Sequence, residues 1–154
     1  ALANLLRNVE QECRRRYLKK CSKTHGYILD VANVELLEAV VASSNSSIEC
    51  DVAFDAMCLY PRVGKLFRGV ACLVFELGVL LEISGVMKVF VPYENGHFVE
   101  GGNHVAYDFD AENQLFLSRD GAKRIAMHAS HGVKISGMAF NTETKSFNCY
   151  GELA

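Results

Sequence analysis

The sequence predicts an α+β chain, one amphipathic helix followed by strands, the last five of which close a small β-barrel. Three observations carry this. Apolar residues near the start recur at three- and four-residue steps, those from Ile48 onward alternate with polar ones, and from Leu66 the chain falls into short apolar runs separated by glycines.

The helix comes first. Leu2, Leu5, Leu6, Val9, Cys13 and Tyr17 fall on one face, and Arg7, Glu10, Glu12 and Arg14 on the other. Lys19 and Lys20 close it favourably against the helix dipole. The basic run 14–16, with Lys19, Lys20 and Lys23, reads as a solvated helix end rather than a phosphate grip. At Gly26 the pattern changes. Residues 27–31 form a short apolar strand, and residues 35–42 continue as a second strand or irregular edge. The run Ser-Ser-Asn-Ser-Ser at 43–47 is a loop. Beyond it Ile48, Cys50, Val52, Phe54 and Ala56 alternate with Glu49, Asp51, Ala53 and Asp55, giving a strand with one buried and one wet face that runs to Leu59. Pro61 lacks an amide donor and Gly64 follows closely, so the domain boundary falls here, separating residues 1–60 from 61–154.

The second half offers apolar runs at 66–76, 79–84, 87–91, 133–141 and 146–153, with a long polar connection between the third and fourth. Five strands in so short a segment imply a closed barrel, whose turns, bulges and corners take Gly69, Gly78, Gly85, Gly132, Gly137 and Gly151. Thr142, Glu143, Thr144 and Lys145 connect the last two strands.

Composition bounds the function. Of 154 residues 50% are apolar, enough for one good core or two small ones. The formal charge is -2, with eight basic and eight acidic side chains in residues 1–64 and eight and ten in the remainder, so no phosphate-binding field dominates. Nucleic-acid contact must then rest on a local patch and on stacking. The six cysteines form no C-x-x-C pair and read as buried thiols of a reducing compartment. The longest apolar run, 70–81, is interrupted by Glu76 and Gly78, so neither a signal peptide nor a membrane span is expected.

Catalytic signatures are lacking. The sequence holds no G-x-S-x-G, no G-x-x-x-x-G-K and no paired carboxylates enforced by spacing. His128 and His131 have H-x-x-H spacing, with His97 and His104 upstream, but zinc sites show tighter ligand clusters and a carboxylate or thiol would have to join them, so these histidines read as facing solvent or RNA. Asp108, Asp110 and Glu112 lack the glycine and terminal glutamate of an EF-hand loop and read as a polar hairpin. No catalytic residue, metal or cofactor is expected.

Four stretches, Gly26-Tyr-Ile-Leu-Asp-Val31, Cys50 to Pro61 running into Gly64-Lys-Leu-Phe-Arg-Gly69, Met87-Lys-Val-Phe-Val91, and Tyr107-Asp-Phe-Asp110 through Gly132-Val-Lys-Ile135, span nearly the whole chain. In this order they resemble the stalk subunit of archaeal and eukaryotic DNA-directed RNA polymerases, counted as the seventh subunit of RNA polymerase II. The resemblance implies a truncated ribonucleoprotein-like tip domain at 1–60 that docks on core polymerase, then a five-stranded OB-fold at 61–154 that touches RNA. Its implied partners are core polymerase subunits, a second, mostly helical stalk subunit and single-stranded nascent RNA. The implied location is the nucleus for a cellular eukaryotic member, or a viral factory or virion for a viral one. Two departures fit a divergent or viral member. The strand that usually precedes the first helix is not in this sequence, either trimmed from it or replaced by a tip sheet completed differently, and Glu38-Ala-Val-Val-Ala-Ser-Ser-Asn45 replaces the acidic, glycine-rich tip turn.

On this reading Leu37, Val40, Val41, Ser43 and Asn45 dock on core polymerase. RNA would meet Phe75, Lys88, Phe90 and Tyr93 around the second and third barrel strands, near Phe98, together with the cationic group Arg119, Lys123 and Arg124. Alternation puts Lys88 and Phe90 on one strand face, opposite Val89 and Val91. The competing role for Phe90 is to plug the barrel. The alternative functional reading is a free-standing OB-fold RNA-binding module such as a translation-type factor, for which deleting residues 1–60 would leave RNA binding intact. A small metal-dependent enzyme is a third reading, removed if purified protein holds no metal.

Overall fold

The computed structural model describes residues 2–41 and 47–154. The chain divides into two compact units, Ala1–Tyr60 and Pro61–Ala154.

The first unit opens with α1 (Leu2–Tyr17), followed by β1 (Cys21–Ser22), β2 (Gly26–Val41) and β3 (Ile48–Leu59), paired antiparallel in the order β1-β2-β3. The apolar face of α1 packs towards the ribbon, with Cys13 buried and the Tyr17 ring 5.1 Å from that of Phe54. On its wet face Glu12 pairs with Arg15 and Arg16, which hold its carboxyl down at about 2. The two stretches expected after Gly26 are one continuous strand. It reaches this length through register shifts between Ile28 and Asp30, Ala32 and Glu35, and Leu36 and Glu38, with Asn33 at positive φ. Each shift adds a residue on one strand and bends it, which is why the sequence pattern breaks there although pairing continues.

In the second unit β4 (Leu66–Phe75), β5 (Gly78–Ile83), β6 (Met87–Pro92), β11 (Ser130–Asn141) and β12 (Ser146–Leu153) form a closed five-stranded barrel. Its circuit runs β4-β5-β6-β12-β11 and back to β4, with β6 and β12 parallel and the other pairs antiparallel. β4 is shared, since residues 66–70 pair with β11 and residues 70–75 with β5. The strand turns this corner at Gly69, where a Cβ would come within 3.1 Å of the Glu82 carbonyl oxygen. Inward residues alternate along every strand. Leu81, Met87, Val89, Val133 and Ile135 are all buried, each side chain contributing on the order of 1.5–3 kcal/mol.

The expected polar connection between β6 and β11 is instead a block of four strands: β7 (His97–Glu100), β8 (Asn103–Asp110), β9 (Leu115–Ser118) and β10 (Arg124–Ala126). It extends the sheet from β12 in the order β7-β8-β9-β10. A separate aromatic core holds it. Phe98 lies 4.7 Å from Phe116, and both are buried beside Tyr107 and Ile125. The strands are short and separated by glycine and acidic turns, so their apolar content is diluted in the sequence.

No disulfide links the six cysteines. Only Cys13 and Cys149 are buried, and Cys58 is exposed, contrary to the expectation of buried thiols, because a long two-stranded ribbon leaves one face open. Among the described residues no helix is long and apolar enough to cross a membrane.

Candidate nucleic-acid interface

β6 places Met87, Val89 and Val91 inside the barrel, which turns Lys88 and Phe90 outward. Phe90 is therefore not the barrel plug. Cross-strand register then builds a row over the outer surface. Phe90 stands opposite Leu80, Leu80 opposite Leu73, and on the other side Phe90 is in register with Tyr150 of β12. The Phe90 ring lies 5.9 Å from Phe75 and 6.4 Å, nearly edge-on, from Tyr150. Leu73 and Tyr150 are 46% and 54% exposed, unusual for large apolar side chains in register on one surface. Next to this row, Lys88 faces Glu82 and Glu82 faces Val70.

Tyr150 has no distinguishing motif of its own in the sequence. Its signal is the same alternation as in β6, because Phe147, Cys149, Gly151 and Leu153 point inward and leave Asn148, Tyr150 and Glu152 outside.

The remaining candidates lie elsewhere. Tyr93 packs on Phe98 and Phe116 at 5.2 and 4.7 Å and donates its hydroxyl to the Tyr107 carbonyl, so its ring belongs to the aromatic core of the β7–β10 block. Arg119 pairs with Asp108 at 3.4 Å and Lys123 with Glu100 at 3.0 Å, while Arg124 opens β10. These cations cluster at the β9–β10 hairpin, with β12, β7 and β8 between them and β6. The structure thus splits the seven candidates into an outer-face row, a core tyrosine and a cationic hairpin.

His97 and His104 face each other across the β7–β8 hairpin, whereas His128 is exposed and His131 half-buried. Asp110 caps the β8–β9 turn by accepting hydrogen bonds from the Glu112 and Asn113 amides and the Asn113 side chain, which hold its carboxyl below the usual range. Among the described residues no group of three or more histidines, cysteines or carboxylates is placed to hold a metal ion.

In the first unit Leu37, Val40 and Val41 are 61%, 52% and 66% exposed at the far end of the ribbon, and Ile48, opposite Val41, is exposed as well. Ser43 and Asn45 lie outside the described residues. On the ribbon Glu38 stands directly opposite Asp51, and neither β2 nor β3 contains a lysine or arginine. An open cleft of about 480 Å3 lies between α1 and β3, lined by Leu5, Val9, Cys13, Ile48 and Val52 among others.

Neither a known protein-family model nor a curated protein gives a significant match to this sequence.

Proposed function

We propose that this chain is a non-catalytic stalk subunit of a multisubunit DNA-directed RNA polymerase, docking through its first unit and contacting nascent single-stranded RNA through its barrel. The observation that carries the reading is the outer row Leu73, Leu80, Phe90 and Tyr150 with Lys88 beside it. The exposed Tyr150 ring and the half-buried Phe90 ring offer stacking surfaces that every base can use, and a lysine at their edge meets phosphate without reading sequence. This suits a chain of low net charge, whose affinity must come from stacking.

Support for an OB-fold comes from the circuit β4-β5-β6-β12-β11, with its shared first strand and its parallel closure between third and fifth strands. In such barrels the face of the second and third strands receives oligonucleotides. Here these are β5 and β6, which carry Leu80, Lys88 and Phe90. The β7–β10 block occupies the connection between the third and fourth strands of the barrel.

Support for docking comes from the ribbon end. Leu37, Val40, Val41 and Ile48 are left uncovered, and each would gain on the order of 1–3 kcal/mol on burial against a partner. The like-charged Glu38 and Asp51 favour a partner surface bearing lysine or arginine.

Binding of a fluorescent oligouridylate, followed across a salt titration, tests the RNA half of the proposal. Lys88→Ala with Phe90→Ala should weaken binding and reduce its salt dependence. Binding unchanged in that double variant rejects the outer row as the RNA face.

A further inference from the structure

The cationic hairpin borders a cleft of about 240 Å3 on the second unit, lined by Glu100, Tyr107, Lys123, Arg124, His131 and Gly132 among others. We propose that this cleft holds a backbone phosphate of the RNA, giving the barrel a second anchor point separate from the outer aromatic row. The inference rests on the reading that the barrel meets RNA and names the group that the hairpin takes.

Charge and partnering converge on an anion. Glu100 is the one acidic side chain among the lining residues, and it is already satisfied: Tyr107 donates its hydroxyl to one oxygen at 3.1 Å and Lys123 its ammonium to the other at 3.0 Å. Lys123 is thereby fixed at the cleft, with donors to spare. Arg124 makes no ion pair or side-chain hydrogen bond among the described residues, so its planar fork is available for phosphate oxygens. Arg68 is likewise unpaired among the described residues, stands opposite Gly132 of the cleft wall, and is close enough for its charge to act on His131. Nε2 of His131 is buried and has no hydrogen-bond partner. Leaving such an atom unpaired is costly, a cost an incoming acceptor would relieve once the ring shifts or takes up a proton. Burial first and Arg68 second push this imidazole below its usual range, with Glu100 pulling it back. An anion that balances Arg68 must therefore raise it.

A phosphate could come from an RNA backbone or from a free anion, and the experiment separates the two. The intact chain is titrated with a short oligouridylate and, separately, with inorganic phosphate, while the His131 ring signals are followed by NMR and RNA affinity is measured across a salt series. With oligouridylate, the His131 titration should move to higher pH. Arg68→Gln with Arg124→Gln should weaken RNA binding by about tenfold and lower the salt slope by about 0.7 for each phosphate no longer neutralised, with unfolding unchanged. RNA affinity and salt slope that survive intact in this variant, while Phe90→Ala weakens binding, remove the cleft and leave the RNA reading in place. A His131 response to inorganic phosphate but not to oligouridylate overturns the RNA source in favour of a free anion. Failure of the unaltered chain to bind oligouridylate removes both the reading and this extension.

Discussion

Phe90 and Tyr150 meet across the parallel pairing of β6 and β12, with Phe90 half-buried and Tyr150 exposed on the outer surface. Stacking on one base is worth about 1–3 kcal/mol, so Phe90→Ala with Tyr150→Ala should lower RNA affinity by about five- to 150-fold while the melting temperature falls little. Gly78 makes the opposite case. At φ 150° a Cβ would collide with the Val91 carbonyl oxygen and come 3.0 Å from the Phe90 ring. Gly78→Ala should destabilise the barrel by at least about 1–3 kcal/mol, read from denaturant midpoints, and displace Phe90 as well. Tyr107 sets a pH dependence. Burial pushes its phenol well above the ordinary range, and the Glu100 carboxylate that accepts its hydrogen bond adds to the shift. The folded chain thus keeps a proton that the unfolded chain releases near pH 10, so this contribution is complete below about pH 10 and is lost as pH rises beyond it. Thermal melts should fall more steeply above pH 10 in the unaltered chain than in Tyr107→Phe.

Among the elements, those with an unbroken period were legible in the sequence. In β6, Met87, Val89 and Val91 alternate with Lys88 and Phe90 without interruption, and the structure keeps that division of faces. The helix was legible through Leu5, Val9, Cys13 and Tyr17 for the same reason. The β7–β10 block was not. Its longest strand has eight residues, its turns carry Gly101, Gly102 and Gly121, and its core is assembled from one or two aromatic residues on each of β7, β8 and β9 with Ile125 from β10, so no window of the chain holds enough apolar residues to announce it. In β2 the pairing outlasts the pattern, since three register shifts change which face each residue meets. Tyr150 could have been found by carrying the alternation of Phe147 and Cys149 one step further, whereas the cleft at His131 depends on strands distant in sequence and has no local signal. The ribbon end offers a test at this scale. Leu37→Asp with Val41→Asp removes apolar side chains that are already exposed, so the variant should unfold at the same denaturant concentration as the unaltered chain. Its affinity for the docking partner should fall by roughly 2–6 kcal/mol.

At the scale of the molecule, each unit has its own buried residues: Cys13, Tyr27, Val31 and Leu59 in the first, and the barrel and block cores in the second. Residues 61–154 should therefore unfold cooperatively as an isolated fragment and bind oligouridylate within about twofold of the whole chain, both measurable by calorimetry and fluorescence. Among the described residues the first unit buries fewer apolar side chains than the second. The most direct test of the account is affinity purification of the whole chain from the cell that expresses it, beside the Leu37→Asp, Val41→Asp variant, with the captured proteins identified by mass spectrometry. A stalk subunit should bring down large RNA polymerase subunits in near-stoichiometric amounts with the unaltered chain and lose them in the variant; polymerase subunits absent from the first, or equally abundant in both, would rule the assignment out.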